Sequence, residues 1–208
     1  MLPIFAKIVN AASITIGKIN WKTKRVLHPS EVATIKEKLK NDYYIILTRH
    51  PGHLSTYAIS IAHFFLDGDF GYYGHAMMNL EDEVTRAGDF RFIEATGAGV
   101  HYSGFDAAFD DQTGSVALLK PKALTLMEWT DVMDYAKTQL GKPYDTLFDI
   151  ASDKALSCVE LVRVALQIMP TYETDFADFE ARIKKGKNFD PETFRECTDF
   201  EVVYEVRH

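Results

Sequence analysis

The sequence predicts an α+β fold, a mainly antiparallel sheet flanked by helices, and three observations carry that expectation. Short runs rich in β-branched and aromatic residues recur between turn residues. Helical stretches flank those runs, and helices around a mainly antiparallel sheet make an α+β domain. No repeat, low-complexity tract or linker divides the 208 residues, a length that suits one buried core. The expected organisation is a single domain over residues 1–208, with residues 1–40 and 170–208 as peripheral elements.

The chain opens with "MLPIFAKIVNAASITIG", in which Ile4, Phe5, Ile8, Val9 and Ala12 fall near helical spacing. Lys7 interrupts what would be the apolar region of a signal peptide, so the segment reads as a core-docked helix or one resting on a membrane surface. "HPSEVATIKEKLKND" predicts a surface helix entered through Pro29 and Ser30. "YYIILT", residues 43–48, is a short apolar strand, and "LSTYAISIAHFFLDG" is helical between Ser55 as cap and Gly68 as stop. Two β-like runs follow, 72–80 and 90–96, around the acidic turn "EDEVTRAGD". A third, "SVALLK", comes after a glycine- and aspartate-rich loop. "TLMEWTDVMDYAKTQLG" is the clearest helix, with Thr125 and Glu128 spaced as a capping box and Gly141 just beyond its end. A helix starting at Cys158 closes before Pro170, "DPETF" opens a helical turn at Pro191, and "FEVVYEV" ends the chain as an alternating strand.

Charge and composition narrow the function. A net charge of −7 lacks the basic face of a nucleic-acid binder, so no nucleic-acid partner is expected. The short basic run "RIKKGK" reads as a solvated helix end. No run approaches the roughly 20 apolar residues of a membrane span, and a cytoplasmic location is expected. Two cysteines make no disulfide framework at this length, which fits a reducing compartment.

Cys158 carries the functional question. Ser157 can cap its helix, and Cys158, Leu161, Val162, Ala165 and Met169 share one stripe. Two readings stand side by side. One is a small hydrophobe in the core. The other is a thiolate stabilised by the unpaired N–H groups and dipole of the first helical turn, which could also hold an oxyanion. Cys197, between a short helix and the last strand, has no such setting and reads as structural.

A nucleophile needs a base. His28 precedes a proline and His208 ends the chain, while His63 lies within an apolar helix. His50 and His53 around a Pro–Gly turn, with His63, Asp67 and Asp69 downstream, match no strong ligand template, so no metal is expected. "DGDFG" lacks the rest of any calcium or kinase motif. His75 is better placed: alternation puts Tyr73, His75, Met77 and Asn79 on one strand face, with Gly74 leaving room for an approaching group. Phe90, Phe92 and Glu94 share a face of the next run. A hairpin of the two would set Glu94 beside His75 as its orienting partner; otherwise Glu94 is a solvated strand charge.

The order of "GHAMM", "FIEA", "GKPYD" and "SCVELV" resembles the circularly permuted papain-like hydrolases of the NlpC superfamily, in particular the bacterial YiiX/YaeF type. In that group the histidine and its acidic partner precede the cysteine, as His75, Glu94 and Cys158 do here, over roughly residues 40–166. The resemblance implies a papain-like permuted core, with Cys158 as nucleophile, His75 as general base and Glu94 as third member. It also implies that Tyr144 of "KPYD" lines a substrate cleft, although a core aromatic reads equally well from the residues alone. The chain departs from the group in Asn41–Asp42 before the first strand, where "GD" is usual, and in Gly74–His75, where "SH" is usual. The implied activity is a cofactor-independent cysteine hydrolase of the amidase or peptidase type, acting on a peptide or cell-wall amide through a thioester. The alternatives are a lipid acyl hydrolase or acyltransferase of the same fold, and a non-catalytic binding domain with Cys158 in its core.

Overall fold

The computed structural model describes residues 26–51, 71–79, 89–145, 148, 152–187 and 190–208. Their element order is α1 (Pro29–Asn41), β1 (Ile45–Arg49), β2 (His75–Asn79), β3 (Arg91–Thr96), β4 (Gly99–Gly104), α2 (Phe105–Ala108), β5 (Ser115–Pro121), α3 (Leu126–Thr138), α4 (Cys158–Leu166), α5 (Tyr172–Asp175), α6 (Ala177–Arg182), a π-helical turn (Ile183–Lys187), α7 (Glu192–Glu196) and β6 (Phe200–Val206). The strands form one sheet in the order β4-β3-β2-β1-β5-β6, and every neighbouring pair is antiparallel. The expected α+β architecture, a sheet flanked by helices, is the one observed.

Strand periodicity sorts the core into two layers. Ile45, Leu47, Ala76, Met78, Ile93, Ala95, Ala117 and Leu119 pack on the side of α3 and α4, against Trp129, Val132, Leu161 and Val162. Their neighbours Ile46, Met77, Phe92, Val116 and Leu118 pack on the opposite side, against Ile35 and Leu39 of α1. Because both faces of the central strands are covered, "IILT" and "VALL" read as unbroken apolar runs instead of alternating ones. β6 is an edge strand; a register shift in its pairing with β5 interrupts the expected alternation, and Glu201, Val202 and Glu205 are exposed.

Several boundaries differ from expectation. β1 starts two residues later than "YYIILT", since Tyr44 N–H is satisfied by the Asn79 side chain (2.6 Å) instead of a ladder partner. β2 begins at His75, so Tyr73 lies before the strand and joins the layer opposite Met77. A single face for Tyr73 and Met77 is therefore not formed. The loop read before "SVALLK" contains β4, paired along its length with β3. The helix expected at 54–68, the opening amphipathic segment and nearly all of the acidic turn lie outside the described residues.

Residues 170–208, expected at the periphery, supply β6 and the fully buried Phe176, Phe179 and Phe194. Phe179 and Phe194 stack with ring centroids 4.7 Å apart. Arg163 of α4 makes a two-pronged ion pair with Glu180 of α6 (Nε–Oε2 2.9 Å, Nη2–Oε1 2.7 Å), and Tyr172 O–H donates to the same carboxylate at 2.8 Å. The pair is nearly buried, so each charge depends on the other for solvation. It pins the far end of the Cys158 helix and thereby helps to set where the near end points.

Candidate active site

The site is assembled at the start of α4. Ser157 and Glu160 form a capping box: Ser157 N–H donates to Glu160 Oε2 at 2.8 Å, and Glu160 N–H donates to Ser157 Oγ at 3.2 Å. Both residues are buried, which makes the cap a fixed part of the interior. It defines Cys158 as the first helical residue, where the helix dipole favours negative charge. Leu161, Val162 and Ala165 anchor the helix in the core as the stripe predicts. Cys158 is itself 4% exposed, so burial alone cannot distinguish a core residue from a nucleophile.

Its neighbours can. β2 and β3 pair with Met77 opposite Glu94, which leaves His75 and Glu94 diagonal on the same face of the hairpin. The outcome is a 2.6 Å contact between His75 Nε2 and Glu94 Oε2. Burial pushes the His75 pKa down, but hydrogen bonds to the Cys158 sulfur and to Glu94, together with their negative charges, outweigh it and hold the imidazole up at about 10. For Glu94 burial raises the pKa, but the His75 contact and charge prevail, helped by Ser103 and His101, and bring the carboxyl down to about 2. Thiol, imidazole and carboxylate thus stand in series, and the last two are held ionised across the neutral range.

Tyr144 is half-buried and packs against the core next to this series. Its phenol is pushed well above the ordinary range by burial first, then by negative charge at Cys158, Glu160 and Asp145. The backbone holds the surrounding loop in place. Val100 N–H donates to Lys142 C=O at 2.8 Å, Gly141 N–H to Val100 C=O at 2.9 Å, and Leu156 N–H to Pro143 C=O at 3.0 Å. Gly99 makes the approach feasible: its φ is +92°, and a Cβ there would lie 2.5 Å from the Lys142 carbonyl oxygen.

His101 was missed in the sequence. It lies directly opposite Glu94 on β4, with Nε2 3.7 Å from Glu94 Oε1 and Nδ1 2.9 Å from Gly99 O. Glu94 therefore stands between two imidazoles. The signal was the hairpin-like spacing of "FIEATGAGVHYSG", obscured because β4 carries two glycines and little apolar alternation.

The remaining expected residues lie apart. Cys197 is 3% exposed, its thiol is pushed up to about 12 by burial and by Asp199, and it contacts Phe194 C=O at 3.6 Å. Both cysteines are free. His50 faces Thr113 Oγ1 at 3.1 Å and Asp110 at 3.5 Å, while His53, His63, Asp67 and Asp69 lie outside the described residues. Among the described residues no helix is long and apolar enough to cross a membrane.

No family model matches the chain, and no curated protein matches it in sequence. A solved structure does: the crystal structure described as metalloprotein yiiX from Escherichia coli O157:H7, DUF1105, aligns with a TM-score of 0.56 at 20% identity. The alignment covers 81% of this chain and 99% of that one. At that identity the likeness speaks for architecture alone, and the chain shares its fold with yiiX.

Proposed function

We propose that the protein is a cysteine hydrolase that cleaves an amide bond, in a peptide or a cell-wall peptide, through a thioester. The observation that carries this reading is the 2.6 Å His75–Glu94 contact, made by an imidazole that the Cys158 sulfur, at the start of a capped helix, also helps to hold protonated. A cysteine serving only as core filler has no need of an ionised imidazole–carboxylate pair beside it.

In this reaction the Cys158 thiolate attacks the carbonyl carbon and the first-turn N–H groups of α4 receive the developing oxyanion. The C–N bond breaks as the His75 imidazolium passes its proton to the leaving nitrogen, forming a thioester and a free amine. Neutral His75 then takes a proton from water, the hydroxide adds to the thioester, and the C–S bond breaks to release a carboxylic acid and the thiolate. Glu94 positions the ring and stabilises its cationic form between the two steps. Tyr144 borders the place where the acyl group would lie.

The structural neighbour is described as a metalloprotein, so a metal at this cluster needs testing against the donors present. Among the described residues, Cys158, His75 and Glu94 do not form a set of donor atoms lying within 4.8 Å of one another. The imidazole engages both partners and so stands between them, which suits proton transfer and not a shared ion.

The test is mass spectrometry after labelling with thiol-directed activity probes, followed by turnover on a cell-wall peptide and on an acyl lipid offered in parallel. Labelling at Cys158 with amide turnover supports the reading. Turnover of the acyl lipid alone moves the substrate class, and labelling at Cys197 removes the proposal.

A further inference from the structure

Away from Cys158, three side chains gather where the start of α1 meets the end of the edge strand β6. His28 immediately precedes α1, Glu31 lies in its first turn, and His208 follows β6. One ligand atom from each lies within 4.8 Å of the other two, and this is the set among the described residues whose His and Glu donors converge in that way. We propose that His28, Glu31 and His208 form a binding site for a divalent transition ion of the zinc, cobalt or nickel kind.

The donor set fits that chemistry. Two imidazoles and one carboxylate suit borderline ions, whereas magnesium and calcium favour all-oxygen shells. The two rings meet edge to face, with centroids 5.1 Å apart and planes at 89°, close enough for one nitrogen of each to belong to the converging donor set. His208 Nε2 already lies 2.9 Å from Glu31 Oε2 and 3.1 Å from Oε1. The ring nitrogen and the carboxylate therefore already face one another at the position an ion would take. His28 is exposed and the other two side chains are about one-quarter exposed, which leaves water room to complete the coordination shell.

The three residues are also held before any ion arrives. His208 N–H donates to Ser115 Oγ at 3.0 Å, and Tyr72 O–H donates to His208 C=O at 3.0 Å. Leu27 N–H donates to Thr113 C=O at 2.9 Å, fixing the chain just before His28. His28 N–H donates to Glu31 Oε2 at 2.6 Å, which sets the carboxylate. A cation near a helix N-terminus opposes the dipole, but the Glu31 charge lies between them and offsets it. An ion here would tie α1 to the edge strand across 177 residues of sequence, so its effect is on folding stability.

The site is independent of the proposed reaction, and its test is arranged to keep the two apart. Zinc is titrated calorimetrically into the full chain carrying Cys158→Ala, which removes the thiol that would otherwise capture it. The expected result is one zinc per chain and a thermal midpoint that rises with zinc and not with magnesium. His28→Gln and His208→Gln, each in that background, should weaken binding about tenfold or more. Their melting points without metal report whether the fold has survived. Zinc binding in the wild type that vanishes in Cys158→Ala, binding unaffected by both histidine variants, or no binding at all would overturn the proposal.

Discussion

The two cysteines are the same side chain at almost the same depth, 4% exposed at position 158 and 3% at position 197, yet their surroundings differ in kind. Cys197 follows α7 among apolar rings, and its thiol is pushed up to about 12. Cys158 sits on a capped helix start beside an imidazole whose pKa is held up by the sulfur and by Glu94. Equal burial therefore leaves the two sulfurs in different electrostatic settings, because in a low-dielectric environment each polar group brought into contact is worth more than in water.

The largest expected effect is at Cys158, the proposed nucleophile. Cys158→Ala should abolish turnover and probe labelling while leaving the fold intact, checked by circular dichroism and thermal unfolding. Residual turnover of more than about one part in a thousand would place the chemistry elsewhere. His75→Ala comes next, with an expected loss of about 10²–10⁴-fold in kcat, since the proposed proton donor to the leaving group goes with it.

Glu94→Gln keeps size and one acceptor but removes the charge, and a loss of roughly tenfold to a hundredfold is expected, smaller than at Cys158 or His75. Its distinctive readout is pH. The Glu94 carboxyl, held down at about 2, contributes stability that is full above the ordinary carboxylate range and is lost as pH falls through about 2. His75, held up at about 10, contributes stability that is full below the ordinary imidazole range and is lost as pH rises through about 10. In Glu94→Gln the alkaline limb of the melting-point profile should move down towards the ordinary histidine range. The alkylation–pH profile of Cys158 should move with it. If neither moves, Glu94 is not coupled to the thiol and the contrast with Cys197 narrows to helix geometry alone.

At the small end, Tyr144→Phe should change KM by a few fold with kcat nearly unchanged, as expected for a residue bordering the acyl group. A kcat loss as large as that of Glu94→Gln would instead give the phenol a part in the chemistry. Cys197→Ala should leave turnover within a few fold and cost about 1 kcal/mol of stability for the lost sulfur, read from chemical denaturation. A deep loss of turnover here would erase the distinction between the two sites.

Some of this was legible residue by residue. Thr125 and Glu128 announce α3, Ser157 announces α4 at Cys158, and the stripe from Cys158 to Met169 names the buried face, because capping and helical periodicity are local interactions within a turn or two of chain. "FEVVYEV" marks a strand, β6, for the same reason, although a register shift against β5 breaks its alternation. Glu94 was legible only as one of two options, since periodicity places a side chain on a face without saying what covers that face.

Tertiary structure decided the rest. Register between β2 and β3 sets Glu94 beside His75, and pairing with β3 turns "GVHYSG" from an apparent loop into β4 with His101 opposite the same carboxylate. Residues 170–208 became core through Phe176, Phe179 and Phe194, whose partners lie on other elements. His28 and His208 look idle in sequence and meet only because the edge strand ends at the start of α1. By itself the sequence determined the helix starts, the apolar faces and the residue types available for chemistry, all set by contacts a few residues apart. Which charges meet was settled by strand register and helix docking, where contacts span scores of residues and no short-range pattern records them.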